Sequence, residues 1–202
     1  MPLKRASLLF LLGIAVLAVI IVVLFLPRAI EGDFTRSAVR FFGLYGYLFL
    51  SITTLVTPFL REVTQAFGRP FIKIHHSLAV LGVVFITLHP VFNAIESSLS
   101  VFVPNFDSWN RFWILAGRPA FILFYIAIFA AFLRAKAPKY WRAFHALMYV
   151  VLLFGIVHAN LLGHDFQNLG IMLIFNVLFI VSLAGFAFKR YRSYQLKKKM
   201  SR

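Results

Sequence analysis

The sequence predicts an all-α membrane protein, a bundle of six transmembrane helices with both termini in the cytoplasm. Of its 202 residues, 61% are hydrophobic and only 13% are charged, a balance that excludes an ordinary soluble domain of this length. Six apolar runs are long enough to cross a bilayer, which takes roughly 20 helical residues. The basic residues lie mainly in every second gap between these runs, which sets the direction of the bundle.

The six runs are assigned as helices because none shows the strict alternation of a barrel strand, and open sheets leave unpaired backbone in lipid. The first run follows Lys4 and Arg5 as in a signal peptide, but it lacks a small-x-small cleavage site, so we expect it to be retained. No linker interrupts the chain, which predicts one domain, 1–188, followed by a basic cytoplasmic tail, 189–202. The predicted spans are 6–26, 41–60, 74–95, 113–133, 143–163 and 169–188.

The loop charges orient the predicted bundle. With the N-terminus inside, the segments 1–5, 61–73, 134–142 and 189–202 face the cytoplasm and carry most of the 21 Lys and Arg. Every acidic residue except Glu62 then lies on the outer side. The positive-inside rule therefore predicts a multi-pass protein of the plasma (inner) membrane, N-in and C-in. The net charge of +15 is placed to contact anionic membrane lipid, and no nucleic-acid partner is expected.

Histidines occur in pairs within spans three and five. His75 and His89 are fourteen residues apart, and His145 and His158 are thirteen apart. The two spans cross the membrane in the same direction, so His75 matches the depth of His145 and His89 that of His158. At about 1.5 Å per residue the two levels lie roughly 20 Å apart. This arrangement suits two b-type haems, each held between helices three and five.

The spacing in span five carries a geometric difficulty. At ~100° per residue, fourteen residues return to within about 40° of the starting face, whereas thirteen miss it by about 140°. Span five must therefore be overwound or bulged, or His145 must lie in a distorted first turn. Gly155 and Gly163 mark places for such an irregularity.

Other interpretations of the histidines stay open on the residues alone. A single buried histidine bonded to a backbone carbonyl is common. A zinc site is less favoured, because adjacent His75 and His76 point about 100° apart on a helix and no span carries a carboxylate. Cysteine is absent, which excludes disulfides and thiolate metal sites. His164, beside Asp165, is expected to be a solvated loop residue, as are the scattered outer acids.

These motifs resemble the ferric-reductase-like transmembrane domain, a family that includes NADPH oxidases, ferric reductases and the haem-binding membrane subunit of the bacterial methionine sulfoxide reductase system. The last of these is the most similar, through TTLVTPFLR at 53–61, GRPAF at 117–121 and YWRAFHALMYVVLLFGIVH at 140–158. One departure is His75-His76, where that subunit typically has basic residues and the oxidases do not.

The resemblance implies four axial haem-iron ligands. His75 would pair with His145 on the inner side and His89 with His158 on the outer side. His76 is an alternative inner ligand, a partner of a propionate, or a residue that only faces the interface, and the spacing favours His75 as the ligand. Arg118, before Pro119, is expected either to reach an outer-haem propionate or to snorkel to the interface.

The implied function is an electron-transfer subunit with haem b, two groups per chain, rather than a complete enzyme. No G-x-G-x-x-G module follows span six, so the donor is expected to be a separate cytoplasmic flavoprotein or quinol, and FMN or quinone binding is open. The acceptor would be an outer-face reductase such as a periplasmic protein-methionine-sulfoxide reductase. A stand-alone ferric or cupric reductase is the alternative. A haem-free transporter or structural subunit is less favoured, because no span carries a carboxylate.

Overall fold

The structure is a computed structural model that describes residues 5–200. Lys4, in the predicted N-terminal cytoplasmic segment, and Arg202, at the end of the predicted tail, lie outside the described residues. Within residues 5–200 the chain is all-helical, and six helices are long and apolar enough to cross a membrane, as predicted. These candidate spans are Arg5–Ile30, Phe34–Phe67, Phe71–Glu96, Gly117–Ala135, Trp141–Leu162 and Leu169–Met200.

Two of the candidate spans are divided into shorter α-helices: Phe34–Phe67 by a 3₁₀ turn at Thr57–Phe59, and Trp141–Leu162 by a turn at 146–147. In the described part of the chain the α-helices are α1 Arg5–Ile30, α2 Phe34–Val56, α3 Leu60–Phe67, α4 Phe71–Glu96, α5 Trp109–Ile114, α6 Gly117–Phe132, α7 Trp141–His145, α8 Met148–Leu162 and α9 Leu169–Met200. The 3₁₀ turns are Thr57–Phe59, Leu99–Phe102, Leu133–Ala135 and His164–Gln167.

The second helix begins well before the predicted boundary at residue 41. Asp33 caps it, since its carboxylate accepts hydrogen bonds from the backbone N–H groups of Thr35 (2.8 Å) and Arg36 (3.3 Å). Hydropathy alone missed this start because Arg36 and Arg40 lie in the first two turns. Both arginines are paired with acidic residues, and for the largely buried Arg40 this pairing lowers the cost of removing the charge from water.

Helix α2 is the centre of the bundle. In its apolar window 61% of the residues are buried, against 6% for α4, and it packs along α4 and against α1, α8 and α9. Small residues allow the close approach to α4: a β-carbon on Gly46 would lie 2.9 Å from the backbone N of Ile86, and one on Gly82 would lie 3.4 Å from the backbone N of Leu50.

The two histidine-bearing helices are held by different neighbours. Helix α4 packs mainly on α2, whereas α8 packs mainly on α6, with further contacts to α5, α9 and α2. In the described chain, α4 and α8 are not a closely packed pair. Three of the paired histidines lie on these two helices, His75 and His89 on α4 and His158 on α8, whereas His145 is the last residue of α7.

Ion pairs mark the two ends of the bundle. At one end, called here the Asp165 end, Arg36 pairs with Glu96 and Arg40 with Asp165. At the opposite end, the Glu62 end, Lys189 pairs with Glu62. Helix α9 continues unbroken past residue 188, so the division of the chain into 1–188 and 189–202 remains a prediction.

Candidate functional site

The structure brings His75 and His145 together near the Glu62 end. Their ring centres are 6.2 Å apart, with the ring planes at 67° to each other. Phe71 lies against the His75 ring and Trp141 against the His145 ring, at 5.4 and 6.1 Å between centres. Both imidazoles are partly buried.

The other two histidines, His89 and His158, line one cavity of about 370 Å³ near the Asp165 end. The cavity lies between α2, α4, α6 and α8 and is walled mostly by apolar side chains. Its polar lining includes Arg40, Arg118 and Asp165. The four histidines therefore form two groups, one near each end of the bundle.

The hydrogen bonds of the histidines share one pattern. Nδ1 lies 2.8 Å from the carbonyl oxygen of Val39 in His89, 3.0 Å from that of Ala127 in His145, and 2.7 Å from that of Ile114 in His158. A carbonyl oxygen can only accept, so Nδ1 is the donor in each ring and Nε2 keeps its lone pair. A histidine that binds a metal through one nitrogen is usually held in this way through the other.

His75 has a weaker partner than the other three. Its Nδ1 lies 3.5 Å from Oγ1 of Thr57, longer than a normal hydrogen bond. The Thr57 hydroxyl donates its proton to the carbonyl of Thr53 at 2.7 Å, so its oxygen turns a lone pair towards His75. This contact favours the same tautomer as in the other three rings.

The irregularity expected in span five is present, next to His145. Leu147 N–H donates to Phe144 O (3.0 Å) and Tyr149 N–H to Ala146 O (3.1 Å), which are tightened three-residue bonds between α7 and α8. A 3₁₀ turn advances by more than 100° per residue, which reduces the angular miss of a thirteen-residue step. Of the alternatives given by the sequence, the structure has the distorted first turn around His145, whereas the two glycines do not mark it: Gly155 lies inside α8 and Gly163 at its end.

Two glycines allow neighbouring helices to touch the paired histidines. A β-carbon on Gly43 would lie 2.9 Å from Nδ1 of His89, and one on Gly117 would lie 3.0 Å from Nε2 of His158. Any larger side chain at either position would overlap an imidazole ring. Gly43 follows the phenylalanine pair at 41–42, and Gly117 precedes Arg118 at the start of α6.

Of the remaining candidates, His76 is exposed, with its ring 5.9 Å from that of His75. Arg118 lies in the first turn of α6, and its Nη1 donates to Val103 O at 3.0 Å. The side chain of His164 is exposed, as expected, although its carbonyl accepts a hydrogen bond from Arg28 at 3.0 Å. In residues 5–200 there is no cluster of three or more His, Cys, Asp or Glu that could hold a metal ion.

A comparison with protein families agrees with this architecture. The profile of the family described as "Ferric reductase like transmembrane component" matches residues 42–156, more than half of the chain. The chain belongs to this family. The match contains His75, His89 and His145 and ends two residues before His158. No curated protein and no solved structure matches the chain.

Membership of the ferric-reductase-like family indicates a multi-pass membrane protein that works in electron transfer or metal reduction. The profile describes the family as a whole. The similarity to the sulfoxide reductase subunit comes from three short segments, 53–61, 117–121 and 140–158.

This ferric-reductase-like protein contains one buried polar pair that its sequence did not predict. Asp165 was expected to be a solvated loop residue, but it is 3% exposed and its carboxylate accepts hydrogen bonds from Arg40 Nε (2.8 Å) and Nη2. The expectation was wrong because the 3₁₀ turn after α8 folds Asp165 inward against α2. The only sequence signal was a basic residue, Arg40, immediately before an apolar run.

Proposed function

We propose that the protein is a haem b-binding membrane subunit that carries electrons across the membrane. The observation that carries the proposal is the arrangement of the four histidines in two pairs, with Nδ1 directed to an acceptor and Nε2 left with its lone pair. Neutral imidazole in this tautomer is a common haem-iron ligand. Domains of the ferric-reductase-like family typically bind haem, which supports the same assignment.

The geometry of the inner pair fits one metal between two imidazoles. Metal–imidazole bonds of about 2.0 Å place the centres of two opposed rings roughly 6 Å apart. The centres of His75 and His145 are 6.2 Å apart. Iron held there would supply one-electron chemistry, and the chain's contribution would be to fix the two rings and to keep the surroundings apolar.

The outer pair has room for a larger group between its rings. His89 and His158 line the same apolar cavity, and Arg118 lies at its edge. The Arg118 guanidinium has five N–H donors, one of which is used by Val103 O, so others are free to meet an anionic propionate. Snorkelling to the interface remains the alternative role of this arginine.

The charge of the loops supports an orientation in the membrane, and the family resemblance supports an electron donor and an electron acceptor. We propose that the Glu62 end is cytoplasmic, since most of the basic residues lie there, and that both termini are inside. The donor is then a cytoplasmic flavoprotein or quinol, and the acceptor an outer-face protein such as a periplasmic methionine-sulfoxide reductase. The motifs at 53–61, 117–121 and 140–158 support this subfamily, and FMN bound at the inner loops is a further option.

The engagement of the outer acids disfavours the alternative of a stand-alone ferric or cupric reductase. Such an enzyme would gather metal ions with carboxylates at the Asp165 end. Four of these carboxylates already accept hydrogen bonds within the chain: Asp33, Glu96, Asp107 and Asp165. Two of them, Glu96 and Asp165, are also paired with arginines, which reduces the negative charge available to a cation at this end.

The proposal is tested by purifying the full chain from cells supplied with haem. The measurement is a reduced-minus-oxidised visible spectrum together with a pyridine haemochrome count. A b-type spectrum with about two haems per chain is expected. His89→Ala and His158→Ala should each remove the outer haem, whereas His164→Ala, a matched change of an exposed histidine at the same end, should leave the spectrum unchanged. A colourless chain, or full haem content in both variants, would overturn the assignment.

A further inference from the structure

The Arg40–Asp165 ion pair is unusually enclosed for this protein. The side chains of Arg40 and Asp165 are 19% and 5% exposed, whereas those of Arg36 and Glu96, the other pair at the same end, are 72% and 28% exposed. Arg40 binds both oxygens of Asp165, through Nε and Nη2. Such two-pronged contacts fix geometry as well as charge, so this pair can determine how two parts of the chain are placed.

The pair joins the two backbone segments that place the outer histidines. On one side, Arg40 follows Val39, whose carbonyl accepts the Nδ1 hydrogen bond of His89. On the other side, Asp165 lies in the turn that follows α8, the helix that carries His158. The link therefore runs from the acceptor that orients one histidine to the helix that carries the other.

Further contacts fix both sides of this link to α1. Arg40 Nη1 donates to the carbonyl of Arg28 at 3.2 Å, and Arg28 Nη1 donates to the carbonyl of His164 at 3.0 Å. The Arg40 guanidinium also lies over the ring of Phe25, 5.2 Å from its centre. Three N–H groups of Arg40, which also lines the cavity, are thus used by Asp165 and by the backbone of Arg28.

We propose that Arg40 and Asp165 are positioning residues for the outer histidine pair. Their ion pair keeps the start of α2 at a fixed separation from the end of α8, and so holds His89 and His158 on opposite sides of the cavity. The pair neutralises Arg40, which leaves Arg118 as the cation at the cavity edge for an anionic group. This inference rests on the proposed haem-binding function and adds to it the ion pair that fixes the separation of the two outer histidines.

The test uses the purified full chain with Asp165→Asn, which removes one charge with little change of shape, and Arg40→Gln, which removes the charge and the guanidinium. The pair acts on His89 only through the Val39 segment, so the loss of affinity should not exceed the roughly 10- to 100-fold that follows loss of a metal ligand's own hydrogen-bond partner. Each variant should lose outer haem, or show a shifted outer midpoint potential in a redox titration, while the inner signal stays constant. Glu96→Gln, which breaks the exposed pair at the same end, is the matched control and should change neither signal.

The inner haem is an internal standard within every variant. Arg40→Lys keeps the charge but loses the two-pronged contact, so it should retain more outer haem than Arg40→Gln and still show the potential shift. If Asp165→Asn is produced in too small an amount to measure, the comparison of Arg40→Lys with Arg40→Gln takes its place in the test. A pair with only a general structural role would lower both haem signals together, and that result would overturn the inference.

Two further outcomes separate this inference from the proposed function. Haem-loaded wild-type protein with unchanged haem content and potentials in Asp165→Asn and Arg40→Gln would overturn the positioning role alone. A wild-type chain without haem would overturn the proposed function, and the positioning role with it.

Discussion

A β-carbon on Gly43 would lie 2.9 Å from Nδ1 of His89, the same atom that donates to the carbonyl of Val39. Helix α2 therefore contacts this imidazole at two points, one turn apart, although it carries none of the paired histidines itself. Because residue 43 is glycine, the His89 ring can come close enough to α2 to form its hydrogen bond with the Val39 carbonyl. The orientation of His89 is set from outside its own helix.

We expect Gly43→Ala to displace the His89 ring. The added methyl group would overlap Nδ1 and also approach Cε1, at 3.2 Å, so the ring must rotate and the bond to Val39 weakens. The loss of a histidine's orienting partner typically costs a metal site 10- to 100-fold in affinity. The visible spectrum should show loss of the outer haem with the inner haem kept. Gly13→Ala, where nothing lies within 4 Å, is the control, and equal spectra from the two variants would contradict the prediction.

The choice between His75 and His76 as inner ligand is tested by single substitutions. His75 is partly buried and faces His145, whereas His76 is exposed. His75→Ala should therefore remove the inner haem, and His76→Ala should leave haem content near that of the wild type. Pyridine haemochrome counts on the two purified variants decide between them. Loss of haem in His76→Ala with retention in His75→Ala would reverse the assignment.

Gly46→Ala should destabilise the contact between α2 and α4. The new β-carbon would lie 2.9 Å from the backbone N of Ile86, and backbone cannot move aside without separating the helices. Overpacking of this kind typically costs about 1–3 kcal/mol. Thermal unfolding in detergent measures it. Gly13→Ala is again the control and should be neutral or slightly stabilising, so a Gly46→Ala chain as stable as that control would refute this account of the packing.

A reciprocal amide pair joins α8 to α9. Asn160 Nδ2 donates to Asn176 Oδ1 at 3.3 Å, and Asn176 Nδ2 donates to Asn160 Oδ1 at 3.2 Å. Polar pairs between membrane helices average about 0.6 kcal/mol and reach about 1.7 kcal/mol. A double-mutant cycle with Asn160→Ala and Asn176→Ala, followed by denaturation in mixed micelles, should give a coupling energy in this range. Strict additivity of the two changes would show that the pair contributes nothing.

The proposed membrane orientation can be tested by labelling single introduced cysteines, because the chain contains no cysteine of its own. Lys136→Cys and Gln167→Cys each place a single thiol at an exposed site, near the Glu62 end and the Asp165 end respectively. With both termini inside, a membrane-impermeant maleimide should label intact cells only through position 167. Permeabilised cells should label at both positions. Labelling of position 136 alone in intact cells would invert the topology.

Much of the fold follows from local sequence. Each predicted span overlaps a helix of the structure, because the length of an apolar run is a property of consecutive residues. The start of α2 escaped prediction because a capping Asp33 and paired arginines extended the helix through polar residues. The interruption between α7 and α8 was expected from the spacing of His145 and His158, and a distorted first turn at His145 was one of the expected forms, but the spacing alone did not choose it over a bulge at Gly155 or Gly163.

The sequence by itself determined six apolar helices, one family and four histidines at two depths, since hydrophobic length and residue spacing are local quantities. Only the tertiary structure decided what each imidazole faces and that Arg40 meets Asp165, 125 residues away. Those contacts depend on which helices pack together and on how a single turn after α8 folds inward. Periodicity along one helix carries no information about a carbonyl on another, so the partners of the histidines had to come from the packed bundle.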